Sequence, residues 1–253
     1  MRKYKKLAFY WIYWKVLAMD LYNCNSLDIF TQLIKKYKDE HIIIVTDPPF
    51  NIGYKYNEYL DNLDETEYYE MIEFFVNDLP SVIIHYPEQL YKISFQIGKF
   101  PEKVISWVYN SNTAKQHRDI AFFGIKPNMA QVRQPYKNPN DKRIQERIAK
   151  GCVGAKLYDW WDINQVKNVS KEKTTHPCQM PLQVMKNIVG ILPYDCVIID
   201  PFMGSGTTGE AIIEMNRIQN ANRKFVGIEI DEKYFNIAKE RIEKAQNKWE
   251  DLD

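Results

Sequence analysis

The run Cys196-Val197-Ile198-Ile199-Asp200-Pro201-Phe202-Met203-Gly204-Ser205-Gly206-Thr207-Thr208 decides the fold. Its four leading apolar residues, stopped by Asp-Pro, predict a strand buried on both faces, as in a parallel sheet covered by helices. Two glycines then permit a tight turn, and the chain returns to helical spacing as far as Met215. Phe225-Val226-Gly227-Ile228 follows as another strand, and a charged helix runs from Glu232. Strand, glycine loop, helix, strand, helix is half of a Rossmann-like sheet.

A matching pattern stands upstream. His41-Ile42-Ile43-Ile44-Val45-Thr46 leads into Asp47-Pro48-Pro49-Phe50. Polar residues just past such strands lie at the carboxyl edge, where open α/β sheets bind ligands. Two candidate sites therefore share one sheet edge. Residues 21–25 read as a short edge strand, and Val82-Ile83-Ile84-His85, Val104-Ile105-Ser106-Trp107-Val108 and Ile120-Ala121-Phe122-Phe123-Gly124 as further strands. Helices are predicted from a Ser26 cap to about Lys38, from Asp64 or Thr66 to about Asp78, and over 181–189. The expected fold is α/β and Rossmann-like, with a mixed, mostly parallel sheet and helices on both faces.

The 253 residues suit one large α/β domain or a core with a small insert. A net charge of +1 excludes a global attraction to polyanions, but its distribution is uneven. From Lys115 to Lys173 there are 13 Lys/Arg against 6 Asp/Glu, a net of +7. These cations lie amid Tyr136, Tyr158, Trp160 and Trp161, which fits a phosphate-contacting surface with stacking platforms. A solvated lysine-rich surface is the plain alternative. Residues 126–175 lose periodicity at Pro127, Pro135 and Pro139 and are too long for a connector, so a functional insert is expected.

Cys24, Cys152, Cys178 and Cys196 are scattered, as are the four histidines. No disulfide framework or metal site is predicted, and reduced thiols fit the cytoplasm. Residues 1–6 are basic and 7–19 mostly apolar, which superficially resembles a signal peptide. Lys15 interrupts that run, no small-residue cleavage site follows, and the run is too short to span a bilayer. An interfacial or core-covering extension over 1–20 is expected, with no membrane span. Met19 is a candidate natural start in place of Met1, because the recognisable domain begins at Asp20-Leu21-Tyr22.

In the second loop, Gly204 and Gly206 allow close backbone approach, and the following helix offers free amides to an anion or carboxylate. No Lys follows the second glycine, which disfavours a Walker loop, and the GxGxxG fingerprint is absent. Glu229, at the end of the next strand, is placed to hold ribose hydroxyls. Together these favour an adenosine-type cofactor. In the first loop, Pro48 and Pro49 fix φ and remove two donors, leaving Asp47 and a proline carbonyl as a pure acceptor pair. Such a pair suits an exocyclic NH2, and Phe50 offers a flat face for the base that carries it.

These residues resemble the β-class amino-methyltransferases of DNA, in which a (D/S)PP(Y/F) catalytic motif precedes the cofactor motif. Asp47-Pro48-Pro49-Phe50 matches the former. Asp200-Pro201-Phe202-Met203-Gly204-Ser205-Gly206-Thr207-Thr208 matches the latter, and Phe225-Val226-Gly227-Ile228-Glu229 resembles the next strand. His176-Pro177-Cys178-Gln179-Met180-Pro181-Leu182 is similar to the family's His-Pro-x-Gln-Lys-Pro segment. The resemblance spans about Leu21 to Arg241. It departs at Met180, where Lys is common, and at Asn25, where Asp often occurs.

The resemblance implies methyl transfer from S-adenosylmethionine to the exocyclic amine of a flipped base in double-stranded DNA. Asp47, Pro48, Pro49 and Phe50 would hold the base. Asp200, Pro201, Phe202, Gly204, Ser205, Gly206, Thr207, Thr208, Glu229, His176 and Pro177 would hold the cofactor. It further implies a catalytic half over 21–125, a basic target-recognition insert over 126–175, and a cofactor-binding half over 176–253. Arg133, Lys137, Lys142 and Arg143 are the first candidates for phosphate contacts. A homodimer, a cognate restriction endonuclease and a cytoplasmic location in a bacterium, archaeon or phage-infected cell are further expectations. Asp at position 47 leans towards adenine-N6, while Met180 leans weakly towards cytosine-N4. RNA or protein-amide methylation and a catalytically idle DNA-binding module are the rival classes.

Overall fold

A computed structural model describes residues 19–54, 58, 59, 61–167, 170 and 172–250. Residues 1–18 of the extension expected over 1–20, and with them the Met1 alternative to a start at Met19, lie outside the described residues. The chain order is β1 (Met19–Asn23), α1 (Ser26–Lys36), β2 (Ile42–Thr46), α2 (Glu65–Val76), β3 (Ser81–His85) and α3 (Pro87–Gln96). Then come β4 (Lys103–Val108), β5 (His117–Phe123), β6 (Arg133–Gln134), α4 (Lys142–Ala149), β7 (Ala155–Lys156) and β8 (Trp160–Asp162). α5 (Leu182–Gly190), β9 (Val197–Asp200), α6 (Thr207–Gln219), β10 (Lys224–Glu229) and α7 (Glu232–Glu250) complete it.

Eight strands form one sheet in the order β1-β10-β9-β2-β3-β5-β4-β8. Only β5 runs against its neighbours, pairing antiparallel with both β3 and β4. The apolar runs of β2 and β9 are buried along their whole length because each pleat face meets a helical layer. Ile43, Val45 and Ile198 pack with residues of α5, α6 and α7 such as Val184, Ile188, Ile212 and Ile242. Ile42, Ile44, Val197 and Ile199 face the other way, onto Phe30, Leu33, Ile72, Phe75 and Ile93 of α1, α2 and α3. Burying one such side chain contributes about 1.5–3 kcal/mol, so the β2–β9 centre anchors the domain.

β2 and β9 are neighbours, with Ile44 opposite Ile199. From β2 the sheet builds outward through β3, and from β9 it builds the opposite way through β10. This reversal is the topological switch point, and the loops after β2 and β9 both open there. Asp47 and Asp200 are thereby brought to one crevice although far apart in sequence.

Several details differ from the sequence reading. Asn25, not Ser26, caps α1, its side chain accepting from the Leu27 amide at 3.1 Å. This gives Asn25 a structural role at the position where the motif departs. Asp64 rather than Thr66 caps α2, accepting from the Thr66 amide. α3 was not foreseen, although Pro87 at its first turn and Leu90 and Ile93 on its buried side are ordinary helix signals. Within 126–175, β6 pairs with β7, α4 buries no residue, and β8 joins the main sheet beside β4. Trp161 is therefore core, its indole donating to the Tyr158 carbonyl at 2.8 Å, and cannot serve as a stacking platform.

Candidate active site

A cavity of about 530 Å³ opens at the switch point, within the range of small-molecule sites. Its walls include Asp47, Pro48, Pro49 and Phe50 on one side. On the other lie Asp200, Pro201, Phe202, Gly204, Ser205, Thr207, Thr208 and Glu229, with His176 between. Of the expected loop residues, Gly206 and Pro177 are absent from these walls.

The glycine loop is held by its own side chains. Asp200 accepts from the Phe202 amide at 3.1 Å and from the Thr208 hydroxyl at 2.6 Å. Glu229 accepts from the Gly204 amide at 2.8 Å and the Asp231 amide at 2.9 Å, so each of its oxygens keeps capacity for one further donor. Burial pushes Asp200 up to about 7, with the Thr208 hydrogen bond opposing, and burial likewise raises Glu229. Gly204 has φ 55°, and a Cβ there would stand 3.1 Å from the His176 ring. Gly206 serves a different purpose: with φ 76° it lets α6 start against α7, where a Cβ would meet Ala238 at 2.9 Å. α6 has no side-chain cap, which leaves its first amides available as donors. The Thr207 hydroxyl is engaged with Arg241 at 2.8 Å. His176 lies edge-on to Tyr234, its Nδ1 buried without a partner, and burial lowers it to about 4.

The Asp-Pro-Pro-Phe loop is fixed from beneath. The Tyr86 amide donates to His85 Nδ1 at 2.8 Å, which places the ring proton on Nε2. Nε2 lies 2.8 Å from the Tyr68 hydroxyl, which in turn donates to the Pro49 carbonyl at 2.9 Å. Burial lowers His85 to about 3, so this relay stays neutral and structural. Beyond Phe50, Asn51 turns the chain at φ 53°, a conformation Asn tolerates well. Buried Asp61 then accepts the amides of Asn51, Ile52 and Tyr54 at 2.8, 3.1 and 2.9 Å.

What this scaffold presents is Asp47. Its Oδ1 is buried with no partner, while Oδ2 faces Arg118 Nη1 at 3.5 Å. Burial pushes Asp47 up to about 6, with Arg118 pulling the other way. Arg118 is the second residue of the antiparallel strand β5, so its position falls on the carboxyl edge of the parallel ones. Its guanidinium stands over the Phe50 ring at 4.4 Å, and Phe50 also packs on His85 at 4.5 Å. His85, Tyr68, Asp61 and Arg118 escaped the sequence reading. Only His85 carried the signal used for Asp47, a polar residue closing an apolar strand.

None of the four basic candidates lines the cavity. Lys137 stands over Tyr158 and Trp160 at 5.0 and 5.1 Å. Arg133 is exposed on β6 and Lys142 opens α4. Arg143 is 88% exposed and pairs with Asp141, the α4 cap. Among the described residues no helix is long and apolar enough to cross a membrane, and no cluster of three metal-ligating side chains occurs.

Residues 42–240 match the family model described as DNA methylase. The chain is 26% identical over 235 residues to the type II methyltransferase M.HpaI of Haemophilus parainfluenzae, covering 83% of this chain and 71% of that one. It is also 26% identical to the DNA adenine methyltransferase YhdJ of Escherichia coli, over 85% of this chain and 80% of the relative. Among solved structures, the cytosine-N4-specific PvuII DNA methyltransferase superposes with a TM-score of 0.61 at 17% identity, covering 91% of this chain and 90% of its own. That likeness confirms the Rossmann-like fold. With its model matched across most of the domain, the chain belongs to the DNA methylase family, the S-adenosylmethionine-dependent N6/N4 amino-methyltransferases.

Proposed function

We propose that the protein methylates the N6 amine of adenine in duplex DNA, with the base flipped into the crevice between the two loops. The observation that carries this reading is the unpartnered, buried Oδ1 of Asp47 in the wall of a cavity it shares with the glycine loop. A buried acceptor without a donor costs about 1–3 kcal/mol, and an incoming amine hydrogen relieves it. The Pro48 carbonyl takes the second amine hydrogen, and the nitrogen lone pair is left aimed across the crevice.

S-adenosylmethionine supplies an electrophilic methyl on a sulfonium leaving group. Glu229 would take the ribose hydroxyls with its spare acceptor capacity, and the uncapped α6 amides would be donors for the cofactor's carboxylate. Phe202 and His176 close the adenosine side, and the hydroxyls of Ser205, Thr207 and Thr208 keep the loop rigid. The N–C bond forms as the S–C bond breaks, its electron pair returning to sulfur. The alkylated nitrogen then sheds one proton, and Asp47, pushed up to about 6, is suited to receive it. Most of the acceleration comes from positioning.

Lys137 with Tyr158 and Trp160 forms the first phosphate-contacting candidate, assisted by Arg133 and Lys142, in a target-recognition insert over 126–175. A cytoplasmic location belongs to the same reading. A cognate endonuclease and a dimer remain part of the reading. Asp47→Ala tests it: methyl transfer to DNA is lost while S-adenosylmethionine binding persists, and retained transfer refutes the role of Asp47.

A further inference from the structure

Arg118 is held more firmly than a surface cation. Its side chain is 12% exposed, and its guanidinium lies 4.4 Å from the Phe50 ring, 5.5 Å from Trp107 and 5.8 Å from Tyr86. Three rings around one cation fix both its place and its charge. From there Nη1 reaches Asp47 Oδ2 at 3.5 Å and Met180 Sδ at 3.7 Å. The pair is not closed into a two-pronged fork, which would use both carboxylate oxygens. Instead Asp47 Oδ1 and Arg118 Nε are both buried without partners. One oxygen is balanced by the cation and the other is kept for a donor that arrives later.

Met180 stands against the same cation. It is the position where the His-Pro-x-Gln-Lys-Pro pattern carries Lys, and here a thioether abuts the guanidinium instead. We propose that Arg118 is a positioning residue for methyl transfer, supplying from β5 the fixed cation that the motif would carry at position 180 and keeping Asp47 an oriented acceptor. This rests on the assignment of Asp47 as the amine acceptor. Without Arg118, Asp47 would be a buried carboxylate with no compensating charge, and it would hold a proton at neutral pH.

The other groups facing this pair do not replace it. Tyr68 from α2 and Tyr109 after β4 face Asp47, and burial raises both phenols. Asp200 at the end of β9 is a like charge that Asp47 opposes, itself pushed up to about 7. Tyr86, Tyr109, Cys178 and the neutral His85 face Arg118.

The test is single-turnover methyl transfer to unmethylated duplex DNA from about pH 5.5 to about 8.5, with S-adenosylmethionine binding measured over the same range to follow Asp200 separately. Arg118→Gln is expected to bind cofactor as the wild type does, while the acid limb of its rate profile moves up by about one unit or more. Its rate at about pH 6.5 then falls by about threefold or more and recovers towards alkaline pH. Arg118→Lys keeps the wild-type limb, and Met180→Lys added to Arg118→Gln moves the limb back. An unmoved limb in Arg118→Gln, or a uniform loss at every pH that Met180→Lys leaves unrepaired, overturns the proposal. If Arg118→Gln does not bind cofactor, Arg118→Lys decides: retained rate and limb uphold it, and loss overturns it. A wild type that fails to methylate DNA, or an active Asp47→Ala, defeats the assignment of Asp47 itself. A wild type dependent on Asp47 with an unmoved Arg118→Gln limb defeats only the role of Arg118.

Discussion

The two loops at the switch point are built on opposite principles. In the donor loop after β9, every carboxylate oxygen of Asp200 and Glu229 already accepts a hydrogen bond from the loop or its surroundings. In the acceptor loop after β2, the supporting groups Tyr68, His85 and Asp61 are satisfied, but Asp47 Oδ1 and Arg118 Nε are not. The carboxylates of one loop are hydrogen-bonded before its ligand arrives, whereas the acceptor carboxylate of the other keeps an oxygen for its ligand. A cofactor used in every cycle suits a preformed seat. A base that must be pulled from a duplex meets an acceptor whose satisfaction offsets part of the unstacking cost.

This contrast breaks most readily at Asp47. Asp47→Ala is expected to slow transfer by roughly a thousandfold or more with cofactor affinity unchanged, as a single-turnover assay beside calorimetry would report. A parallel loss of cofactor affinity would mean the loops are not independent. Glu229→Ala strikes the donor loop: it removes the acceptor of two backbone amides, and cofactor binding is expected to weaken about 10–100-fold. Unchanged affinity would show that the loop holds its shape without Glu229.

Smaller effects extend the comparison to the basic surface. Lys137, among two rings and with no carboxylate partner among the described residues, is expected to contact phosphate. Lys137→Ala should reduce the slope of log affinity for DNA against log salt by about 1. Arg143 already has Asp141, so Arg143→Ala should change that slope by less, and equal slopes for the two variants would remove the distinction.

The central strands were legible because β2 and β9 are buried on both faces, which forces unbroken apolar runs, and because prolines and glycines mark where those runs end. The place of Asp47 followed from sitting just beyond β2, and that of Glu229 from closing β10. Arg118 did not, since its place at the crevice depends on β5 running antiparallel, and strand direction leaves no trace in apolar periodicity. Asp61 was hidden for a similar reason: it folds back ten residues onto the amide of Asn51, a contact with no local pattern. β8 is only three residues long, too short for alternation to declare itself, so Trp161 read as surface. Ser26 lost the α1 cap to Asn25 by one position, the ordinary uncertainty of helix ends.

The most direct test of amino-group transfer is to incubate the wild-type protein with methyl-labelled S-adenosylmethionine and unmethylated DNA, digest the product to nucleosides, and identify the labelled species by mass spectrometry. The account predicts N6-methyldeoxyadenosine, absent when Asp47→Ala is used. No labelled nucleoside, or a methyl group on a ring carbon, would contradict it.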